Sequence, residues 1–419
     1  MSITIKNLLE CKYHQTFLQE IIIMLTINYT QELLNLQDVQ VEKVENFEKI
    51  KRIHIKLNRK KVFCPVCHAE TSKIHDYRTQ IVKDCEAFGQ RIELVLRKRR
   101  YICLACRKRF AEPNTFLPKY HRMTSRLIGS ILDKLADERS FTSVARETGL
   151  SVSTVIRVFD HVRYPGMRSC PSVLSIDEFK GNTGGEKYNV ILCDAERKIV
   201  LDILPKRKEA FLIDYFKKAE RGNVKYFVSD MWSTYREIAE HFFSGATFLV
   251  DKYHWIRQMI WAFESVRKEV QKHLPAGIRK YFKRSKSLLI KRFAYLSKEQ
   301  QEAVNTMLWY SNELREAHSI KEWFMEILDM KDTDKLKKEF SLWLDCVETS
   351  DLKAFRKCVF TYFHWKKGIF NSLDAPFTNG FTEGCNNKIK VLKRNAYGYR
   401  RFDRFRNRIL HIFSHQRAA

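Results

Sequence analysis

The spacing of apolar residues changes repeatedly along this chain, and each change marks a different kind of element. Residues 1–23 are polar and weakly patterned, and a second plausible beginning lies at Met24. A short acidic helix is expected after it, so 1–38 reads as an extension plus one helix. Arg52-Ile53-His54-Ile55-Lys56-Leu57 and Arg91 to Arg97 alternate polar with apolar, the period of half-buried strands. They place a β-rich unit over 39–115. Leu127, Ile128, Ile131, Leu132 and Leu135 then recur at helical spacing. Two more helices follow, from about Phe141 to Thr148 and from Val152 to His161, which gives a helical domain over 122–165. From 172 to 255 short apolar runs return: Val173–Ile176, Tyr188–Cys193, Ile199–Leu204, Tyr226–Ser229 and Ala246–Val250. Three antiparallel-looking strands followed by strands alternating with helices indicate an α/β domain. Residues 256–375 are helical throughout and read as an insertion into it. Thr378-Asn379-Gly380 opens a last long helix over 376–414.

Charge adds what periodicity cannot. The 419 residues carry 76 Lys plus Arg against 49 Asp plus Glu, a net +27. With 44% hydrophobic residues the chain folds, so a surplus this large points to a polyanionic partner, nucleic acid first and an anionic membrane surface second. The apolar run Ile21–Leu25 is far short of the roughly 20 residues a membrane span needs. Residues 1–20 lack the apolar stretch of a signal peptide. A cytosolic, nucleoid-associated location with no membrane partner is expected. The eleven cysteines are then metal ligands or buried thiols rather than disulfides.

Cys64-Pro65-Val66-Cys67 and Cys103-Leu104-Ala105-Cys106 are two CxxC knuckles flanking β-patterned sequence. Four thiolates at this spacing close a tetrahedral, structural zinc site, with a hairpin between the pairs. His68 and Cys85 are bystanders in this reading. Between Arg91 and Arg109 stand eight basic residues and one acid, Glu93. Arg97, Arg99, Arg100, Arg107, Lys108 and Arg109 are the expected phosphate contacts, with Tyr101 and Phe110 interleaved. Phe141 to Arg157 fits a helix-turn-helix, with Ala145 allowing close packing and Gly149 the sharp turn. Leu150, Val155 and Ile156 would form its core, and Ser151, Ser153, Thr154 and Arg157 would face the major groove or its phosphates.

Asp177 and Asp230 each stand at the end of an apolar run, where α/β sheets build sites. Glu383, in the first turn of the last helix, can reach the same edge. Three such oxygen ligands suit Mg²⁺ or Mn²⁺, two ions per site. Glu178, Asp194 and Asp251 are rivals that spacing alone does not separate. Glu383, Asn387, Lys390 and Arg394 share one helix face, which sets donors for phosphate beside an acid. Asn386 to Arg408 holds nine basic residues against Asp403.

These stretches together resemble one family. Leu174-Ser175-Ile176-Asp177-Glu178-Phe179, Val228-Ser229-Asp230-Met231 and Thr378-Asn379-Gly380-Phe381-Thr382-Glu383-Gly384-Cys385-Asn386-Asn387-Lys388-Ile389-Lys390, with the two knuckles, are similar to the ISL-three group of bacterial insertion-sequence transposases. The resemblance runs from about Met24 to Ser414; residues 1–23 depart from it. It implies an RNase H-like catalytic fold with its Asp-Asp-Glu triad on Asp177, Asp230 and Glu383. It also implies a zinc ribbon on Cys64, Cys67, Cys103 and Cys106, and a helix-turn-helix at 140–161. Asp251-Lys252-Tyr253-His254 matches a further family motif, which makes Asp251 and His254 supporting groups around the metals.

The expectation is therefore a transposase, a dimer or higher oligomer on double-stranded DNA. It would bind its element's terminal inverted repeats, cleave there with Mg²⁺ and join the 3′ end to target DNA. The rivals are a DNA-binding transcriptional regulator derived from a transposase but without catalysis, and a structure-specific nuclease. Trp261, Trp309, Trp323, Trp343 and Trp365 of the insertion are expected mainly in a core, with stacking on unpaired bases as the alternative.

Overall fold

The computed structural model describes residues 29–284 and 286–415. The extension expected over 1–23 lies outside them. Packing divides the chain into one unit ending at Arg163 and another beginning at Tyr164.

In the first unit the period-two pattern becomes a sheet. A short helix, α1 (29–34), precedes β1 (Val39–Asn46), β2 (Ile50–Leu57), β3 (Val62–Phe63), β4 (Glu70–Thr71), β5 (Ile74–Ala87), β6 (Gln90–Ile102) and β7 (Arg109–Ala111). Ile53, Ile55 and Leu57 of β2 and Ile92, Leu94 and Leu96 of β6 share one core, since alternate residues of paired strands face the same side. The order is β1-β2-β6-β5, with β7 added beside β6. β2 and β6 are parallel, so the chain must cross over between them, and the crossover carries the β3–β4 hairpin and the first knuckle. The hairpin expected between the two knuckles is β5–β6.

Three helices follow: α2 (Ser125–Ala136), α3 (Phe141–Thr148) and α4 (Val152–Phe159). Thr124, Ser140 and Ser151 each cap the first turn by accepting a backbone N–H. Gly149 ends α3 at φ +63°, the left-handed conformation that glycine takes without strain. Leu127, Ile131, Leu135, Val144, Val155 and Phe159 form a second core. Asp84 of β5 ties this bundle to the sheet, accepting from Thr124 Oγ1 at 2.6 Å and Arg126 Nε at 2.8 Å. The stretches expected as a ribbon domain and a helix-turn-helix domain thus lie together in one unit.

The second unit is built on β8 (Val173–Phe179), β9 (Asn189–Asp194), β10 (Ile199–Leu204), β11 (Tyr226–Ser229) and β12 (Thr247–Val250). Their order is β10-β9-β8-β11-β12. The first three are antiparallel, while β8, β11 and β12 run parallel. α5 (Glu209–Lys218) and α6 (Ser233–Phe242) cover one face. The insertion comprises α7 (Lys252–Lys272), α8 (Ala276–Arg284), α9 (Lys286–Ile290), a 3₁₀ turn at Phe293–Tyr295, α10 (Lys298–Trp309), α11 (Asn312–Leu328), α12 (Thr333–Glu348) and α13 (Lys353–Asp374). Trp255, Phe324, Phe340, Trp343 and Trp365 pack its core, whereas Trp261 and Trp309 are exposed. α13 lies so close to the edge strand β12 that a side chain at Gly368 would meet Val250 at 2.8 Å. Asn371 Nδ2 donates to the Phe248 carbonyl at 3.0 Å, satisfying an edge group that would otherwise be left open.

Two expectations change. The last long helix is two helices, α14 (Gly380–Asn395) and α15 (Phe402–His415). Tyr397 and Gly398 both take positive φ, +53° and +95°, and end the first. The basic run is therefore divided: Arg408 is buried, and Arg406 Nε donates to Asp202 at 2.7 Å. α14 and α15 cover the second sheet face through Ile389, Leu392, Phe405 and Ile409. The other change is at Asp177, which lies inside β8 rather than at its end, because β9 continues the ladder to Phe179↔Asn189.

Candidate functional site

The sheet register brings the acids together. Val228 pairs with Ser175 across β11 and β8, and Ser229 pairs with Val250 across β11 and β12. Continuing both ladders sets Asp177, Asp230 and Asp251 in one row across three adjacent parallel strands, which lie about 4.8 Å apart. β11 and β12 end just before their aspartates while β8 continues beside β9, so the row opens at a notch in the sheet.

Burial makes these carboxyls unusual. Asp177 and Asp251 are buried, with 6% and 4% of their surface exposed. Burial pushes Asp177 up to about 7, against a backbone N–H from Glu178, and the charges of Asp230 and Asp251 add to the rise. Asp230 is likewise pushed up to about 7 by burial, helped by Glu178 and Asp251. Asp251 is raised by burial, although it accepts the Asn379 N–H at 3.2 Å. Three buried acceptors here lack any hydrogen-bond donor: Asp230 Oδ1, Asp251 Oδ2 and Asn386 Oδ1. Buried oxygens without donors are costly, and a bound cation satisfies them. The donor set, hard oxygens with one imidazole, fits Mg²⁺ or Mn²⁺.

Glu383 enters from the first turn of α14. Its carboxylate, Asp251 and His254 form a group whose ligand atoms all lie within 4.8 Å of one another. Burial holds His254 below the usual imidazole range, which keeps a ring nitrogen free to act as a ligand, and the charge of Glu383 opposes the shift. Asp177, Asp230 and Glu383 form no group that tight among the described residues. Asn386, which sequence reasoning did not single out, donates from Nδ2 to Asp177 Oδ2 at 2.8 Å. Its position three residues after Glu383, on a neighbouring helix face, was the available signal. Ser175 Oγ donates to Asn379 Oδ1 and lies 2.8 Å from Thr382 Oγ1, pinning the start of α14 to β8. Asn387, Lys390 and Arg394 are exposed on one face of α14, as expected, and Lys390 donates to Asn387 at 3.1 Å. Of the rival acids, Asp194 caps a turn by accepting from Glu196 and Arg197 N–H groups. Glu178 is held by Arg207 at 2.6 Å.

The four cysteines of the first unit also converge. Cys64 and Cys106, Cys67 and Cys103, and Cys67 and Cys106 have sulfurs 3.5, 3.5 and 3.4 Å apart. Zinc–sulfur bonds of about 2.3 Å would put tetrahedral sulfurs about 3.8 Å apart. The two knuckles repeat one geometry. Cys64 N donates to Ala69 and Cys103 N to Lys108, each at 2.9 Å, and His68 and Arg107 both take φ +59°. The cluster supports a structural zinc.

The expected DNA-facing residues divide. Arg97, Arg107, Lys108 and Arg109 are exposed, as are Ser153 and Arg157, with Thr154 half-buried. Arg97 lies over the Tyr77 ring and Arg100 donates to Asp76 at 3.0 Å. Arg99 does not face solvent: it is buried against Glu112 at 3.1 Å. Ile156 is only partly buried, and Val158 and Phe159 complete the helix-turn-helix core in its place.

Three family models match this chain. A family model described as a transposase, of the ISL3 type, matches residues 174–409. A model for the helix-turn-helix domain of transposase family ISL3 matches 112–163. One for the zinc-finger of transposase IS204/IS1001/IS1096/IS1165 matches 60–106. The transposase for insertion sequence element IS1001 of Bordetella parapertussis is 27% identical over 400 residues, covering 90% of this chain and 96% of that protein. A Lactococcus lactis subsp. lactis protein named ATP-dependent protease is 55% identical over 42 residues, 14% of its length, a stretch too short to bear on function.

Proposed function

The chain belongs to the ISL3 family of transposases, and from that premise we propose that it binds the terminal inverted repeats of its own element and catalyses metal-dependent strand cleavage and strand transfer there. The observation that carries this reading is the row Asp177, Asp230 and Asp251 with its donor-less oxygens, set beside Glu383 on a helix that exposes Asn387, Lys390 and Arg394. We read the second unit as an RNase H-like catalytic domain on the same ground, a mixed five-stranded sheet with its acids at neighbouring strand positions.

In this reading Asp177, Asp230 and Glu383 would hold two divalent ions, with Asp251 and His254 supporting on the Glu383 side. Bound there, the ions would activate water or a 3′-hydroxyl and stabilise the leaving oxygen. The protein's own groups do the rest. Asn386 fixes the Asp177 carboxylate by donating to Oδ2, so that its other lone pairs are directed to the notch. Lys390 and Arg394 bind phosphates along the strand, and burial of the acids excludes bulk water. Ser153, Thr154 and Arg157, with Arg97, Arg107, Lys108 and Arg109, hold the end sequence as part of a dimer or larger assembly. The four cysteines hold one zinc, and the protein works in the cytoplasm at the nucleoid.

The test is cleavage of a duplex carrying the element's own ends, with Mg²⁺ and with EDTA. Wild type should nick at the element boundary only with the metal. Asp230→Asn should abolish nicking and leave end binding within about twofold. Specific binding without cleavage by wild type would favour the regulator, and cleavage indifferent to end sequence the nuclease.

A further inference from the structure

The helix that leaves the acidic row carries an unusual exposed face. α7 begins immediately after Asp251, and Tyr253, Arg257 and Trp261 follow at i, i+4 and i+8 on one slowly winding stripe. Tyr253 is 49% exposed and Trp261 50%. The rest of α7 does not look like this: Trp255, Met259 and Phe263 are buried in the insertion core. The Arg257 guanidinium lies between the two rings, 4.4 Å from the Trp261 centroid and 5.5 Å from that of Tyr253. Among the described residues it has no carboxylate partner within salt-bridge distance. The stripe borders a groove of about 380 Å³, whose wall adds Ile256, Ile260, Glu264, Lys268 and Lys286, with Lys286 paired to Glu264 at 3.1 Å.

Tyr253 and Trp261 each leave about half of their surface open, and the Arg257 guanidinium lies against both rings. Flat faces with cations at their edges are what single-stranded nucleic acid selects. Bases stack on the rings whatever their sequence, and phosphates pair with the cations. Position fixes which nucleotides these would be. At 1.5 Å of rise per residue, Trp261 lies about 15 Å along the helix from Asp251. At roughly 3.4 Å per nucleotide of a fully stacked strand, that is at most about four nucleotides from a phosphate held at the acids.

We propose that Tyr253, Arg257 and Trp261 form a base-stacking subsite that holds one or more unpaired nucleotides of the DNA strand beside the cleavage position, with Arg257 and Lys268 on the phosphates. This rests on the cleavage reading above and deepens it. The substrate engaged for chemistry is then locally opened DNA, not intact duplex. Intact duplex is left to the first unit.

The test uses the full-length protein and end-sequence duplexes that differ only near the cleavage position: fully paired, or with the four nucleotides beside it unpaired. Wild type should bind and cleave the opened duplex better. Trp261→Ala should remove that preference, weakening the opened duplex roughly tenfold or more while leaving the paired one within twofold. Trp261→Phe should restore most of it, which a merely misfolded variant would not do. Arg257→Gln should lower the salt dependence of binding to the opened duplex alone. Replacing the unpaired bases by abasic sites should make wild type and Trp261→Ala equal. Equal affinities of wild type and Trp261→Ala for the opened duplex with its bases present would overturn the subsite while leaving the transposase reading intact. Failure of wild type to cleave either duplex would overturn the two together.

Discussion

At the scale of single residues, the acidic row makes the metal-free protein sensitive to pH in a defined direction. Asp177 and Asp230 sit near 7 in the fold, against 3.8 for a free aspartate. Between those values the folded protein holds protons that the unfolded chain has released. Stability must then fall as pH rises from about 4 to above 7. A shift of about 3 units corresponds to about 4 kcal/mol for one carboxyl, and the two groups interact, so the pair contributes less than twice that. In buffer without added Mg²⁺ or Mn²⁺ the melting temperature of the second unit should therefore decline across this window. Asp230→Asn should decline less and should melt higher than wild type at pH 8. Mg²⁺ should reverse the order by stabilising wild type more than the variant. Parallel pH curves for the two proteins would mean that Asp230 is solvated and takes no part in the row. The acids themselves were nameable from sequence, because each follows an apolar run or opens a helix. Their alignment was not, since strand order and register come from pairing that no local pattern encodes. Asp251 stood among the rivals for that reason.

Elements were legible wherever one face stays buried along the whole length. β2 and α2–α4 emerge close to where alternation and helical spacing place them, and the structure adds the caps Thr124, Ser140 and Ser151 at the helix starts. β6 was legible only in its first half. Ile92, Leu94 and Leu96 are buried, but so are Arg99 and Tyr101, which lie on the opposite phase. The strand changes its buried face where β7 joins it and brings Glu112 against Arg99. A basic run hides that change, since Arg97 to Arg100 look alike in sequence. The distinction has consequences that can be measured. Glu112→Gln strips the buried Arg99 of its charge partner and should destabilise the first unit by about 3–5 kcal/mol, visible in a denaturant melt. Arg107→Ala or Lys108→Ala should leave the melt unchanged. Each should lower DNA affinity and reduce the salt slope of binding by about one. A destabilised Arg107→Ala protein would mean that this arginine is part of the fold instead.

On the scale of the whole molecule, the two units have separate cores and separate candidate metal sites among the described residues. The cores of the first unit draw only on residues before Arg163, and those of the second only on residues from Tyr164 onward. The sulfurs of the first unit join positions 36 to 42 residues apart, pinning the crossover between β2 and β6 to the end of β6. A metal held there contributes directly to folding of that unit, because the unfolded chain has no such cluster. On the proposed reading, divalent ions would stabilise the second unit through the acids. Calorimetry of the full chain should therefore resolve two transitions. A strong zinc chelator should lower one of them and abolish duplex binding, while Mg²⁺ should raise the other. Cys103→Ser should reproduce the chelator's effect without altering the response to Mg²⁺, and Asp230→Asn should do the converse. A single transition moved equally by both treatments would show that the two cores unfold as one, and that the loss of DNA binding on chelation says nothing about which unit reads the ends.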